Sequence, residues 1–166
     1  MLDREILDKY FILEEAILGS IHSENLTDII LKIKISEWNL TKTFFSEWNM
    51  QIEHVEARNA LERIIPGSFL RMSCRNIALF KFDRVERHGR PDMLLVRRPR
   101  SQARDVEDGP KTIFGFGFKD QSSLKENLLK GYSERFIHMV IDMVDARIDL
   151  IFEELKITNL PNRLTS

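Results

Sequence analysis

Residues 133–156 read SERFIHMVIDMVDARIDLIFEELK, and the interpretation of this stretch decides the fold. Ile137, Ile141, Val144, Ile148, Ile151 and Leu155 recur at spacings of 4, 3, 4, 3 and 4, which predicts one apolar seam along a single α-helix. Phe136, Val140, Met143, Leu150 and Phe152 widen the seam beyond a coiled-coil stripe, so the helix is expected to cover a sheet. A strip left over could support a homodimer through this C-terminal helix. Beside the seam, Glu134, His138, Asp142, Asp145 and Asp149 follow a 4, 4, 3, 4 spacing and form an acidic flank of the same helix.

Upstream of this stretch, strand signals dominate. The Phe114-Gly115-Phe116-Gly117-Phe118 run predicts a strand over 112–119 with one aromatic and one open face. Ser122 or Ser123 then caps a short helix through Leu124, Leu128 and Leu129. Residues 68–86 read as sheet, 88–92 as a turn and 93–96 as a returning strand. Arg97 to Lys111 reads as a loop, carrying Pro99, Gly109-Pro110 and many charges. Residues 28–37 alternate Ile29, Leu31, Ile33 and Ile35 with Lys32, Lys34 and Ser36, the pattern of an antiparallel strand with one face in the core. Asp3 caps an N-terminal helix bearing Ile6, Tyr10, Leu13 and Ile17; residues 15–22 fit either its continuation or a strand, and Gly19 with the turn-like 22–25 favours the strand. A further helix is expected over 51–65, ended by Pro66-Gly67. The fold class is α+β: one domain over 1–166, an antiparallel sheet of five or six strands packed against the long C-terminal helix and the N-terminal helix.

The totals agree with a globular chain. In 166 residues, 43% are hydrophobic and 31% charged, a composition that can build a core and excludes general disorder. The single cysteine, Cys74, excludes an intrachain disulfide and suits a reducing, cytoplasmic setting. The N-terminus lacks the apolar core of a signal peptide, and no window resembles a membrane span.

Reactive signatures are missing. The glycine-x-glycine within the phenylalanine run lacks a third glycine, and no Walker lysine, nucleophile elbow or His-Glu-x-x-His helix occurs. His22, His54, His88 and His138 lie too far apart in sequence to name a metal site, so no cofactor or metal is expected. Cys74, although near Arg71 and Arg75, is read as a structural cysteine.

Charge is unevenly distributed. Between Arg84 and Arg104 stand seven arginines (Arg84, Arg87, Arg90, Arg97, Arg98, Arg100 and Arg104) against two acids, whereas residues 134–154 hold six acids against two arginines. Guanidinium groups pair with carboxylates or phosphates. The tetrapeptide Ser36-Glu37-Trp38-Asn39 recurs as Ser46-Glu47-Trp48-Asn49. Trp38 and Trp48 are either aromatics packed at strand ends or exposed anchors for a partner. The expected function is a non-enzymatic protein-interaction module, such as a small cytoplasmic protein of immunity or antitoxin type that restrains another protein. The alternative is a nucleic-acid accessory protein gripping phosphates with its arginines.

Overall fold

The computed structural model describes residues 2–40, 55–84, 111–144 and 146–160. It shows a six-stranded, wholly antiparallel sheet with short helices, an α+β architecture. The elements are α1 (Arg4–Tyr10), β1 (Ile17–Ser23), β2 (Ile29–Lys34), α2 (Val55–Glu62), β3 (Phe69–Arg84), β4 (Ile113–Lys119), α3 (Ser123–Leu128), a 3-10 turn (Ser133–Arg135), β5 (Ile137–Met143) and β6 (Ala146–Leu160). Strand order is β1-β2-β3-β6-β5-β4.

The long C-terminal helix does not exist. Residues 133–156 form the 3-10 turn, all of β5 and most of β6, with the chain reversing between Met143 and Ala146. Asp142 pairs with Arg147 and Ile137 with Phe152 across the hairpin. The physical reason is double-sided burial: β5 and β6 have seams on both faces, so their sequence lacks the polar alternation of a half-exposed strand. Their Ile- and Val-rich composition packs well on a pleated surface. With the helix goes the seam that was to carry self-association.

The frame of the molecule is the long antiparallel pair of β3 and β6, matched from Phe69↔Leu160 to Arg84↔Ala146. Asn76 adopts a left-handed φ of 53°, and one extra residue enters β3 between Ile77 and Leu79. Such an insertion bends a strand and increases its twist. On the near side of the bend β3 pairs with β2, from Lys34↔Phe69 to Ile29↔Cys74. On the far side β6 pairs with β5, and β5 with β4. In β6 the core-facing residues shift from Ile148, Leu150 and Phe152 to Leu155 and Ile157 as the strand passes the bend. The β3–β6 pair thereby serves two stretches of sheet. Leu31, Ile33, Leu70 and Met72 come from one, Met139, Ile141, Leu150 and Phe152 from the other, all in one core.

The two edges of the sheet meet at one corner. Ile17 bridges Thr112, the Ile113 amide donates to the Ala16 carbonyl at 2.8 Å, and the Leu18 amide to the Lys111 carbonyl at 2.9 Å. Gly19 stands at an irregularity in β1, where an added Cβ would lie 3.2 Å from the Phe69 ring and 3.3 Å from the Lys32 carbonyl. That close approach lets β1 turn toward the corner.

Elsewhere the N-terminal helix is shorter than its spacing predicts, since α1 ends at Tyr10 and leaves Leu13 and Ile17 beyond it, while the caps and the other described strands stand as expected. The Asp3 carboxylate caps α1 by accepting from the Ile6 amide at 2.9 Å, and Ser122 caps α3 by accepting from the Lys125 amide at 3.1 Å. The strands expected over 15–22, 28–37, 68–86 and 112–119 correspond to β1, β2, β3 and β4. Of the helix expected over 51–65, residues 51–54 lie outside the described residues, and α2 ends at Glu62, three residues before the expected end. The turn at 88–92, the strand at 93–96 and the loop from 97 to 110 lie outside the described residues.

Candidate functional site

Of the arginines singled out by charge, Arg84 is described, and it stands exposed at the end of β3; Arg87, Arg90, Arg97, Arg98, Arg100 and Arg104 lie outside the described residues. Trp38 is 47% exposed, and Trp48 lies outside the described residues. Trp38 is not on a strand end. It sits in a helical turn at 37–40 that Ser36 opens by accepting the Leu40 amide on its carbonyl.

The tetrapeptide around Trp38 has a structural logic. Asn39 is fully buried; its Oδ1 accepts from the Ser36 amide at 2.9 Å and from the Ser36 hydroxyl at 2.8 Å. Its Nδ2 donates to the Glu14 carbonyl at 2.6 Å and to that of Ile12 at 3.3 Å. Ser36 and Asn39 therefore fasten the turn to the loop before β1, while Glu37 and Trp38 between them face outward. The Ser-x-x-Asn spacing is what sequence reasoning registered as a repeat without seeing its use.

Two cavities flank the corner where β1 meets β4. One, of about 450 Å³, is lined by Trp38 together with Glu15, Ile17, Lys34, Glu37 and Thr112. The other, of about 420 Å³, is lined by Leu18, Ile21, Phe82, Met143 and Ala146, with Arg84 and Lys111 completing the lining beside Gly19 and Ser20. Ile17 and Thr112, which form the bridge, line the first; their neighbours Leu18 and Lys111 line the second. The structure thus brings Trp38 and Arg84 to cavities on either side of one bridge, although 45 positions of sequence separate them.

A second constellation is polar and buried. On the outer face of β4, β5, β6 and the far half of β3, cross-strand pairing places Gly115, Asp142, Arg147 and Asp83 in one row and Gly117, Val140, Asp149 and Lys81 in the next. Opposite charges alternate along these rows, which favours the pairing. His138 lies diagonal to Asp149, and its Nε2 is 2.7 Å from the Asp149 Oδ1. Its Nδ1 is 2.6 Å from the Ser122 hydroxyl, and the Arg147 Nε donates to the other Asp149 oxygen at 3.0 Å. Burial pushes the Asp149 carboxyl up, but hydrogen bonds from Arg147 and His138, with the charge of Arg147, outweigh it and hold the group below the usual carboxylate range. With Asp149 ionised, Nε2–H donates to it, and in the neutral imidazole Nδ1 accepts from the Ser122 hydroxyl.

Ser122, His138 and Asp149 have the connectivity of nucleophile, base and orienting carboxylate. Their surroundings oppose that use. They are 6%, 3% and 5% exposed, the Ser122 oxygen already accepts the Lys125 amide, and none of them lines either corner cavity. Lys125 adds a further tie, its Nζ donating to the Phe136 carbonyl at 3.2 Å. The chain of contacts reads as a clamp that seats α3 on the sheet. Sequence reasoning placed His138 and Asp149 on a common flank but assigned the flank to a helix; the diagonal of two strands joins them instead.

Cys74 is fully buried and its thiol is pushed up to about 12 by burial, so it is a core residue, as expected of a structural cysteine. Among the described residues no group of three His, Cys, Asp or Glu could hold a metal ion, and no helix is long and apolar enough to cross a membrane. No protein-family model, curated protein or solved structure matches the chain.

Proposed function

We propose that the protein is a non-enzymatic protein-interaction module whose working surface is the corner carrying Trp38. The observation that supports this reading is the setting of that tryptophan: a half-exposed indole on a cavity rimmed by Glu15, Lys34 and Glu37. A large aromatic side chain surrounded by polar groups is the usual anatomy of an interface anchor. The buried Asn39 clamp holds the turn that presents it, which limits the conformational entropy lost on binding. Exposed Arg84 and Lys111 across the bridge give the corner a cationic side suited to acidic residues of a partner. The partner is another protein; restraint of that protein, as an immunity protein or antitoxin restrains its target, is the role this surface suits.

The test is affinity capture with the intact chain as bait, comparing wild type, Trp38→Ala and Leu26→Ala. Leu26 is fully exposed and lines neither corner cavity. A partner held equally by wild type and Leu26→Ala and lost at least about tenfold with Trp38→Ala meets the expectation for an anchor. The same partners captured by all three baits would overturn it. Salt-sensitive binding to labelled oligonucleotides, unaffected by Trp38→Ala, would shift the reading to nucleic acid.

A further inference from the structure

The cavity on the other side of the bridge has a composition unlike that of its neighbour. Leu18, Met143 and Ala146 are buried and form its floor, and Ile21 and the half-exposed ring of Phe82 form its walls. Arg84 and Lys111, both exposed, line it as well, and no carboxylate does so among the described residues. Among the described residues it is therefore an apolar hollow lined by two cations and by no acid. At about 420 Å³ its size falls within the range of small-molecule sites.

From these observations we infer that this cavity binds a single-chain aliphatic carboxylate, its hydrocarbon chain against Leu18, Phe82, Met143 and Ala146 and its head group between Arg84 and Lys111. Each part of such a ligand meets its complement. The chain removes apolar surface of Phe82 from water, and the carboxylate accepts charge-assisted hydrogen bonds from a guanidinium and an ammonium. A neutral alcohol would gain the first contribution alone, and an alkylammonium would meet two like charges. The Ile17↔Thr112 bridge and the Leu18 to Lys111 hydrogen bond fix the relative position of the β1 wall and Lys111, so this part of the site exists before a ligand arrives. The inference does not rest on Trp38, which belongs to the other cavity, although Arg84 and Lys111 serve both readings.

The probes are octanoate, nonanoate and decanoate, with 1-decanol and decyltrimethylammonium as controls, titrated below micelle formation into the full chain with methyl-labelled methionine. Saturable displacement of the Met143 methyl resonance is expected for the carboxylates, tightening about fourfold per added methylene. The double variant Arg84→Glu/Lys111→Glu changes two exposed side chains; it is expected to weaken decanoate at least about tenfold and leave decanol unchanged. Arg84→Lys/Lys111→Arg should retain decanoate binding. Any of three results overturns the inference: no saturable shift of Met143 with decanoate, equal affinity for decyltrimethylammonium, or decanoate binding indifferent to the charge reversal.

Discussion

Replacing Asp149 by asparagine tests the buried polar clamp more directly than any other single change. The side chain is nearly isosteric, so no cavity opens, and the effect falls on charge and hydrogen bonding. In the native protein Asp149 accepts from His138 at 2.7 Å and from Arg147 at 3.0 Å, at a position 5% exposed. Hydrogen bonds to a charged acceptor contribute roughly 1.5–3 kcal/mol each, and removing one partner of a buried ionic contact costs about 3–5 kcal/mol. The asparagine carbonyl can still accept from one donor, but its amide then meets the second donor. Arg147 is partly exposed and can turn to water, which reduces the loss. The expected net cost is therefore about 2–4 kcal/mol at neutral pH. Urea unfolding monitored by far-ultraviolet circular dichroism measures it as a lower midpoint at unchanged slope. The pH dependence carries the sharper signature. Because the native environment holds the Asp149 carboxyl below its usual range, its contribution is fully present above the unfolded-state value of about 3.9 and is lost as pH falls through the lower native value. Wild type and variant should thus converge in stability toward acid pH. A variant within about 0.5 kcal/mol of wild type at neutral pH, or curves that stay parallel down to acid pH, would refute the clamp as a stabilising unit.

The remaining predictions address other parts of the frame. Phe152→Ala removes a fully buried ring beside the bend of β6 and is expected to cost about 3–5 kcal/mol in the same urea assay. Asn39→Ala leaves the Ser36 amide and the Glu14 carbonyl without a partner; a loss of about 1–3 kcal/mol is expected, with the Trp38 emission maximum moving because its turn is no longer fastened. Glu15 holds a left-handed φ of 69°, so Glu15→Gly relieves about 1–2 kcal/mol of backbone strain against about 0.4–1 kcal/mol of added chain entropy, and a rise in thermal midpoint of a few degrees follows. Cys74, with its thiol raised to about 12, should resist iodoacetamide in the native protein at pH 8 and react on unfolding, as intact-mass analysis would register.

Much of the fold was legible where the chain obeys a single local rule. Asp3 and Ser122 are caps because a short polar acceptor precedes a helical pattern, and both accept the expected amide. β2 alternates from Leu31 onward, where Lys32 and Lys34 keep their face half-open although Ile30 on it is buried, and Leu31 and Ile33 in the core follow from that alternation. β5 and β6 were misread for a geometric reason. Their core-facing residues step by two within each segment, from Ile137 to Met139, Ile141 and Met143, then from Ile148 to Leu150 and Phe152. The phase breaks twice, at the reversal between Met143 and Ala146 and at the bend, where Phe152 is followed by Leu155. Steps of two joined by steps of three sum to the fours and threes of a helix, and apolar residues on the second face fill the gaps. Ala146, a strong helix former, favours the wrong reading; the density of Ile and Val was the better signal.

The candidate sites were legible in part, and the reason bears on how they work. Composition marked Arg84 and Trp38, because unusual arginine density and a repeated tryptophan are visible in one dimension. It could not mark Lys111, Phe82, Met143 or Leu18, since these converge only when the bent β3–β6 pair brings the far end of β3 toward β1. The same bend that obscured the strands in sequence therefore makes the cavity. If the extra residue between Ile77 and Leu79 were deleted, the ladder would become regular, with Phe80 and Phe82 still opposite Leu150 and Ile148, and the bend would be lost. Such a deletion should abolish decanoate binding and keep the alternating charge rows on the outer face, whereas Arg84→Glu/Lys111→Glu should weaken binding with the bend in place.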